Sequence, residues 1–305
     1  MGDETATGDV PRHDVPKRGR SGFVIVEDRQ VHYLEWGHGG LPPVLCLHGG
    51  GQTAYMYEHL GAALGNRYHL LAPDLPSHGD SDSFLDDEGT PAAFGPQAIA
   101  STMAPLLDQF GMQRIAMVGA SLGGLTSIRF AEAHPDRVAA ISLIDVGHRL
   151  EPEGVRKIVD FMTRHDHFDS LEQAAEAISE YLPGRENVRP ESLTRNLRRR
   201  DDGTWVWKHG FGRRFATIDE ADHPANNLDE FMSGVKEAAA SILCPVLVLR
   251  GDSSDVLSQQ GAEEVAAVLP YGRLATVEKA GHLAVGDNPR STVALIAGFL
   301  DEQRW

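Results

Sequence analysis

Several features that would narrow the possibilities are scarce in this chain. It has 2 cysteines among 305 residues, too few for a disulfide framework, and Cys46 lies in the apolar run 44–47, as a small buried hydrophobe would. No apolar run reaches the roughly 18 residues of a transmembrane helix. Residues 1–20 are polar and of mixed charge, unlike a signal peptide, so we expect a disordered N-terminal arm and a cytoplasmic protein.

Positive charge is also in short supply. Lys and Arg number 28 against 44 Asp and Glu, which gives a formal net charge of -16. A surface this acidic repels nucleic-acid phosphates and anionic membranes. We therefore expect a small-molecule substrate, no nucleic acid and no membrane partner, and the sequence is compatible with a homodimer as well as with a monomer. The 41% hydrophobic and 24% charged residues are typical of a globular protein.

Short apolar runs alternate with amphipathic segments along the first half of the chain. A β-hairpin is predicted over 23–34. Further strands are predicted at 43–48, 68–73, 114–118 and 138–144, and helices at 55–64, 99–110 and 122–133. This alternation predicts the α/β class, with a mostly parallel sheet flanked by helices and a ligand bound beyond the carboxyl ends of the strands.

The rhythm changes between residues 148 and 241, where charges are dense and helical periodicity dominates. That segment is predicted to be inserted. The alternation then resumes with strands at 245–249 and 274–277 and helices at 261–269 and 291–300. The predicted core thus comprises residues 21–147 and 242–305.

A candidate nucleophile lies between a predicted strand and a predicted helix. Gly119 to Gly123 reads Gly-Ala-Ser-Leu-Gly, in which Ser121 occupies a sharp strand-to-helix turn. The flanking glycines leave room for neighbouring backbone, and the helix N-terminus favours developing negative charge. A serine is a poor nucleophile alone and requires a base within hydrogen-bond reach.

Among the 14 histidines, His282 is the best placed base, since it follows the predicted strand 274–277. Three carboxylates could orient it. Asp255 is favoured because it lies a few residues past the preceding strand, whereas Asp252 is closer to that strand and is expected to shape the turn. Asp145, at the end of an earlier strand, could serve in a variant geometry. The expected triad is Ser121, Asp255 and His282, in which the carboxylate fixes the imidazole tautomer.

A glycine run suited to an oxyanion hole follows the early strand at 43–48. His48 precedes three glycines, and the N–H groups of Gly50 and of Leu122 are the expected donors. A phosphate-binding loop is excluded because no Lys and Ser/Thr pair closes the run. His48 itself is expected to brace the loop.

Taken together, these motifs resemble the α/β-hydrolase family over nearly all of 21–300. The motifs are His48 to Gly51, Asp74 to Ser81, Gly119 to Gly123, Gly251 to Asp255 and Gly281-His282. The resemblance implies an eight-stranded, mostly parallel sheet with a helical cap, here 148–241, inserted after the sixth strand and covering the nucleophile.

The family contains several chemistries, and three residues bear on the choice. Dehalogenases and epoxide hydrolases of the family use an aspartate nucleophile, against which Ser121 argues. Carbon-carbon hydrolases acting on ring-cleavage products resemble this chain in the loop His48 to Gly51. They commonly carry Asn before the serine and Trp after the histidine, where this chain has Ala120 and Leu283. Ser77 also departs from the family, which usually has glycine there.

The predicted cap is rich in aromatic and arginine side chains, most of which are expected to form the cap core or a solvated helix face. The aromatic residues are Phe161, Phe168, Trp205, Trp207, Phe211 and Phe215, to which Met162 adds apolar surface, and the arginines are Arg195, Arg198, Arg199, Arg200, Arg213 and Arg214. The sharper hypothesis is a substrate pocket that includes Arg195, Arg198, Trp205 and Trp207, with one or two arginines binding a substrate carboxylate.

The sequence therefore predicts a serine hydrolase that cleaves a small-molecule carboxylic ester through an acyl-enzyme, without a cofactor or metal. A carbon-carbon bond or lactone hydrolase would use the same residues. A ligand-binding receptor on a hydrolase scaffold is the alternative from another class.

Overall fold

A computed structural model describes residues 19–83, 95–165, 167–182, 188–210 and 223–304. Eight strands form one sheet in the order β1-β2-β4-β3-β5-β6-β9-β10. Their bounds are β1 Gly19–Val26, β2 Arg29–Trp36, β3 Pro43–Leu47, β4 His69–Pro73, β5 Ile115–Ala120, β6 Val138–Ile144, β9 Val246–Gly251 and β10 Gly272–Val277. From β4 to β10 all neighbours are parallel, while β2 runs antiparallel to both of its neighbours, β1 and β4. The predicted α/β class and mostly parallel sheet are confirmed.

The first hairpin shows how local chemistry sets the sheet edge. Val26 pairs with Arg29, so the loop has only two residues, Glu27 and Asp28. Both have positive φ, 47° and 65°, as a turn matching the right-handed strand twist requires. Because Gly19 and Arg20 are already paired in β1, the predicted N-terminal arm is too long by two residues, and residues 1–18 lie outside the described part.

Helices cover both faces of the sheet. They are α1 Glu58–Leu64, α2 Pro96–Ser101, α3 Met103–Gln109, α4 Leu122–Ala133, α5 Pro152–Arg164, α6 Leu171–Tyr181, α7 Leu228–Phe231, α8 Val235–Ala240, α9 Gln259–Val268, α10 Ala284–Asp287 and α11 Pro289–Asp301. Side chains of β3 alternate between the two layers, Leu45 and Leu47 on one face and Val44 and Cys46 on the other. Burial on both faces explains why this strand reads as a continuous apolar run.

The segment between β6 and β9 lies beyond the carboxyl end of β6 and has a small core of its own. Phe168, Ala174 and Leu193 are buried in it. Besides α5 and α6 it contains a hairpin of two short strands, β7 Leu197–Arg199 and β8 Trp205–Trp207, which the expectation of a helical cap did not include. Aromatic and arginine side chains predicted within 211–222 lie outside the described residues.

The C-terminal bound of this insertion also differs from the prediction of 241. Helix α8 packs on α4, and its Val235 and Ala238 are buried in the main core. The term cap is therefore used below for residues 148–231, which end before that helix.

Two cap side chains and one cap amide anchor the cap to the 77–80 loop that follows β4. The N–H of Gly210 donates to the carbonyl of Ser77 (3.1 Å). Arg198 donates to a loop carbonyl, that of Gly79 (2.9 Å), and Lys208 pairs with Asp80 (2.9 Å). Two of these three contacts end on loop backbone, so the loop must hold one conformation to receive the cap.

The 77–80 loop is itself fixed from beneath by buried groups. Asp74 accepts from the amide of Asp80 (2.9 Å) and contacts the ring of His32 (2.7 Å). Ser77 has φ 65°, in the left-handed region where glycine is strongly favoured. This conformation explains why glycine is usual at position 77 in the family and makes the serine a local strain.

Candidate active site

Ser121 occupies the turn between β5 and α4. Its φ is 49° and its ψ is -116°, a strained conformation for a residue with a side chain. The turn is held from both sides, because the Ser121 amide donates to Ile144 (3.2 Å) and its carbonyl accepts from Leu125 (3.0 Å). The strain is thus imposed by the strand-to-helix junction, as the pentapeptide predicts.

The flanking glycines are required by close backbone contacts. A Cβ at Gly119 would lie 2.5 Å from the carbonyl oxygen of Gly123, and one at Gly123 would lie 2.0 Å from that of Leu47. Both distances are far below van der Waals contact. No side chain larger than hydrogen fits at either position without moving the turn.

His282 follows β10 and lines the same cavity as Ser121. Its Nδ1 lies 2.8 Å from Oδ2 of Asp145. An imidazole whose Nδ1–H donates to a carboxylate carries its basic lone pair on Nε2, the atom that a serine base must present. The predicted base is therefore brought to the cavity with its tautomer set by a buried carboxylate.

That carboxylate belongs to Asp145, immediately after β6, and not to Asp255. Asp145 is fully buried, and besides His282 it accepts from the amide of Gly251 (3.0 Å) and the hydroxyl of Ser254 (2.5 Å). These three contacts hold the carboxylate in place beside the ring of His282. From the sequence, Asp145 was considered only as the acid of a variant geometry.

Asp255 instead faces the cap surface. Its carboxylate lies 3.0 Å from Nζ of Lys157, and its side chain is 52% exposed. The expectation that Asp255 orients His282 was therefore wrong. The cause is topology: β6, β9 and β10 are neighbours, so residues ending β6 and β9 both reach the loop after β10.

Asp252 shapes the turn, as expected. Its two carboxylate oxygens accept from the amides of Lys279 (2.7 Å) and Ala280 (3.1 Å). These backbone donors lower the pKa of Asp252. The loop after β9 thereby holds the residues that precede His282 in place.

The glycine run after β3 lines the cavity opposite the turn of α4. Gly50 and Leu122, the predicted oxyanion donors, both line it. The amide of Gly49 is engaged by Oε1 of Gln52 (3.2 Å), which leaves the next amide in the run as the better candidate. Leu122 opens α4, where amides lack intrahelical acceptors. The donor roles stay a prediction.

His48 braces this loop. Its Nδ1 lies 2.8 Å from the carbonyl of Gly49, and its Nε2 accepts from the amide of Leu75 (2.9 Å). Burial lowers the pKa of His48, so the ring is neutral and one nitrogen can donate while the other accepts. Both nitrogens are occupied, which agrees with the structural role expected from the sequence.

The four cap residues predicted to bind substrate divide into two pairs. Arg195 and Trp207 line the cavity, and the indole of Trp207 is anchored by the carbonyl of His165 (2.9 Å). Trp205 pairs with Phe168 across a β-bridge within the cap, and Arg198 reaches the 77–80 loop. Neither of the second pair is placed to contact substrate.

The cavity has a volume of about 1020 Å³, at the upper end of small-molecule sites. Apolar cap side chains form much of its wall: Val155, Ile158, Val159, Phe161, Met162, Ile178, Leu182 and Leu193. The cap side of the cavity is therefore mostly apolar. Sequence reasoning missed several polar members, among them Tyr55 and Glu58, because the predicted helix 55–64 was recognised only from its apolar spacing.

Among the described residues, one group brings three possible metal ligands together: His32, Asp74 and Asp80. Both ring nitrogens of His32 already have hydrogen-bond partners, Nδ1 in Asp74 (2.7 Å) and Nε2 in Ser21 (2.9 Å). Burial tends to raise the pKa of Asp74, but hydrogen bonds from His32 and the Ala54 amide lower it overall. We interpret the group as the brace beneath the 77–80 loop.

Within the described ranges, every helix is too short or too polar to cross a bilayer.

Comparisons with known proteins show which family the fold belongs to. A family model described as alpha/beta hydrolase fold matches residues 42–289. The chain is 31% identical over 287 residues to Esterase Rv0045c of Mycobacterium tuberculosis, covering 90% of this chain and 88% of that protein. It is 26% identical over 280 residues to 3-hydroxybutyrate-oligomer hydrolase of Cupriavidus necator, covering 86% and 92%.

Solved structures give the same result. A crystal structure of an alpha/beta hydrolase from Novosphingobium aromaticivorans superposes with a TM-score of 0.75 at 28% identity, covering 93% of this chain and 98% of that chain.

Proposed function

Because this chain belongs to the alpha/beta hydrolase family, we propose that it hydrolyses small-molecule carboxylic esters through an acyl-enzyme. One observation carries the proposal: Ser121, on a strained turn, and His282, oriented by buried Asp145, line one cavity. The similarity to proteins named as an esterase and as a 3-hydroxybutyrate-oligomer hydrolase supports ester bonds as the target.

In the acylation step, Oγ of Ser121 attacks the ester carbonyl carbon while Nε2 of His282 takes the hydroxyl proton. Negative charge develops on the carbonyl oxygen, where amides of Gly50 and Leu122 donate to it. The imidazolium then gives its proton to the alkoxide oxygen as the ester C–O bond breaks. Asp145, in contact with Nδ1 of His282, stabilises the imidazolium.

Deacylation reverses these roles. Water loses a proton to Nε2 of His282 as it attacks the acyl carbon, and the proton is returned to Oγ of Ser121 as the acid departs. Every proton and electron pair is accounted for by the substrate, water and these residues.

The cavity wall favours an acyl or alkyl chain of medium length. Its cap side is mostly aliphatic and aromatic, and burial of each methylene contributes about 0.8 kcal/mol. A carboxylate-bearing substrate, considered from the sequence, is not favoured by the geometry. Arg198 lies outside the cavity, and Arg195 already holds a carboxylate, that of Glu58.

The test is hydrolysis of p-nitrophenyl acetate, butyrate and octanoate by the wild type, by Ser121→Ala and by a matched surface control, Ser101→Ala. Ser101 is exposed on α2. We expect turnover in the wild type and control, none above background in Ser121→Ala, and fluorophosphonate labelling that requires Ser121. Wild-type protein that neither turns over esters nor is labelled would refute the proposal and favour a non-catalytic receptor.

A further inference from the structure

Arg195 and Glu58 form an ion pair inside the cavity. Arg195 ends the cap 3₁₀ helix Pro190–Arg195, while Glu58 begins α1 of the core, and both line the cavity. Each Nη nitrogen of Arg195 donates to a different carboxylate oxygen of Glu58. The two side chains are each 24% exposed, so the pair is largely shielded from solvent.

The ring of Tyr55 is a second contact of the Arg195 guanidinium, beside Glu58. The guanidinium carbon of Arg195 lies 5.1 Å from the ring centroid, within cation–π range. Burial raises the pKa of Tyr55 to about 12, so the phenol is neutral and contributes an aromatic face. Arg195 is thus held in place with its paired donors turned to Glu58.

A guanidinium held in this way resembles an anion site that is already filled. Arg recognises carboxylates through two parallel N–H donors, and Glu58 occupies that arrangement from within the same chain. A substrate carboxylate would have to displace a tethered competitor and leave Glu58 unpaired in a shielded place.

The remaining charges of the cavity wall do not create a substitute. The described lining residues include two arginines, Arg189 and Arg195, and two glutamates, Glu58 and Glu230, so their formal charges sum to zero. Arg189 and Glu230 are both exposed, where solvent and salt weaken their attraction. The shielded part of the cavity therefore offers no net positive charge.

Building on the proposed ester hydrolysis, we propose that Glu58 is a specificity residue. By occupying Arg195 it closes the anion subsite of the cavity and restricts the enzyme to esters that carry no negative charge there. Removing the Glu58 charge opens the subsite and converts the pocket into one that accepts half-esters of dicarboxylic acids.

The experiment compares anionic and neutral substrates in one assay. The anionic series is the mono-p-nitrophenyl esters of succinate, glutarate and adipate, which present a carboxylate at three distances, and p-nitrophenyl hexanoate is the neutral reference. For the wild type, Glu58→Gln, Glu58→Ala and the double variant Glu58→Gln/Arg195→Gln, the ratio of kcat/KM for each anionic ester to kcat/KM for the neutral ester is measured.

We expect the wild type to prefer the neutral ester. Glu58→Gln should raise the ratio about tenfold for at least one anionic ester, equivalent to about 1.4 kcal/mol, and the double variant should lose that gain. Asp301→Asn is the matched control, because it breaks an ion pair with Arg67 that is largely exposed and outside the cavity. Its ratio should equal that of the wild type.

Three results would overturn the proposal while leaving ester hydrolysis intact. The first is an unchanged ratio in both Glu58 variants. The second is a gain that persists without Arg195, which would indicate a loosened cap rather than an opened anion subsite. The third is a wild type that already prefers anionic esters and loses this preference in Arg189→Gln. Absence of all turnover, by contrast, would refute the proposed function itself.

Discussion

Replacing Asp145 with Asn should separate the two carboxylates that compete for the role of orienting acid. Asn is nearly isosteric but has one oxygen and an NH2 group where Asp145 has two acceptors. Oδ2 now accepts from both His282 and Ser254, and Oδ1 accepts from the amide of Gly251. Asn can present its oxygen to only one of these two sides. An NH2 group facing Gly251 meets a backbone donor, whereas one facing His282 requires Nδ1 of the ring to accept.

The catalytic cost follows from the tautomer. If the NH2 group faces His282, it stabilises the ring with its proton on Nε2, which cannot act as a base towards Ser121. In the serine-protease triad of the same design the corresponding change lowers kcat by about 10⁴, or about 5.5 kcal/mol at 1.36 kcal/mol per tenfold. We expect a loss of that order for Asp145→Asn.

The matched control is Asp255→Asn, the change at the position that the sequence favoured. Its partner is Lys157 at the surface, and exposed ion pairs of this kind contribute little. We expect kcat within about twofold of the wild type, since surface changes of this kind are nearly neutral.

The assay is steady-state hydrolysis of p-nitrophenyl butyrate between pH 6 and 9, with the burst of p-nitrophenol used to count active sites. Thermal unfolding of each variant is recorded beside it, because a buried unsatisfied donor costs about 1–3 kcal/mol of stability. A folded Asp145→Asn that keeps its activity, together with an inactive Asp255→Asn, would refute the assignment.

Four further changes test other parts of the structure. Ser254→Ala should lower kcat about tenfold because Asp145 loses a charge-assisted hydrogen bond, and Ser254→Thr, which keeps the hydroxyl, should recover most of it. Ile158→Trp should lower kcat/KM for p-nitrophenyl octanoate relative to acetate by about tenfold, since the larger side chain removes space for more than one methylene from the cavity. An unchanged ratio would mean that the octanoyl chain does not bind beside Ile158. Ser77→Gly should raise the free energy of unfolding by about 0.5–1 kcal/mol, the relief of a positive φ less the added entropy of the unfolded chain, measured by urea denaturation against Ser101→Ala. The pKa of Asp74 is lower in the folded chain than its ordinary 3.8, so its stabilisation is present above pH 3.8 and is lost as pH falls through the folded value; the fall in thermal midpoint below pH 4 should be shallower in Asp74→Asn than in the wild type.

The sequence was sufficient for the parts of the site that local geometry dictates. The glycines around Ser121 are needed because backbone passes within 2.5 Å of where a Cβ would stand, and such a requirement leaves a pattern of residues in the chain. His282 could be identified because the histidine loop follows a strand that ends at the same edge of the sheet. The alternation of strands and helices predicted the sheet for the same reason, since each element leaves its own period.

The parts that failed depend on which strands are neighbours. Nothing within residues 251–255 says that Asp255 turns towards α5, and nothing near Asp145 says that β6 lies beside β9. The pairing of Glu58 with Arg195 spans 137 positions, and neither residue has a local signal. The hairpin β7–β8 was missed because strands of three residues are shorter than any period can reveal.

The contacts between the cap and the 77–80 loop have a consequence for evolution and for engineering. An exchangeable cap would be joined to the core only where the chain leaves β6 and returns before α8. Here the cap is also received by carbonyls of Ser77 and Gly79, whose positions depend on His32 and Asp74 beneath them. A chimera that receives the cap alone would lack these hydrogen bonds to the loop. Recombination between relatives should therefore succeed only when the cap and the loop after β4 are exchanged together.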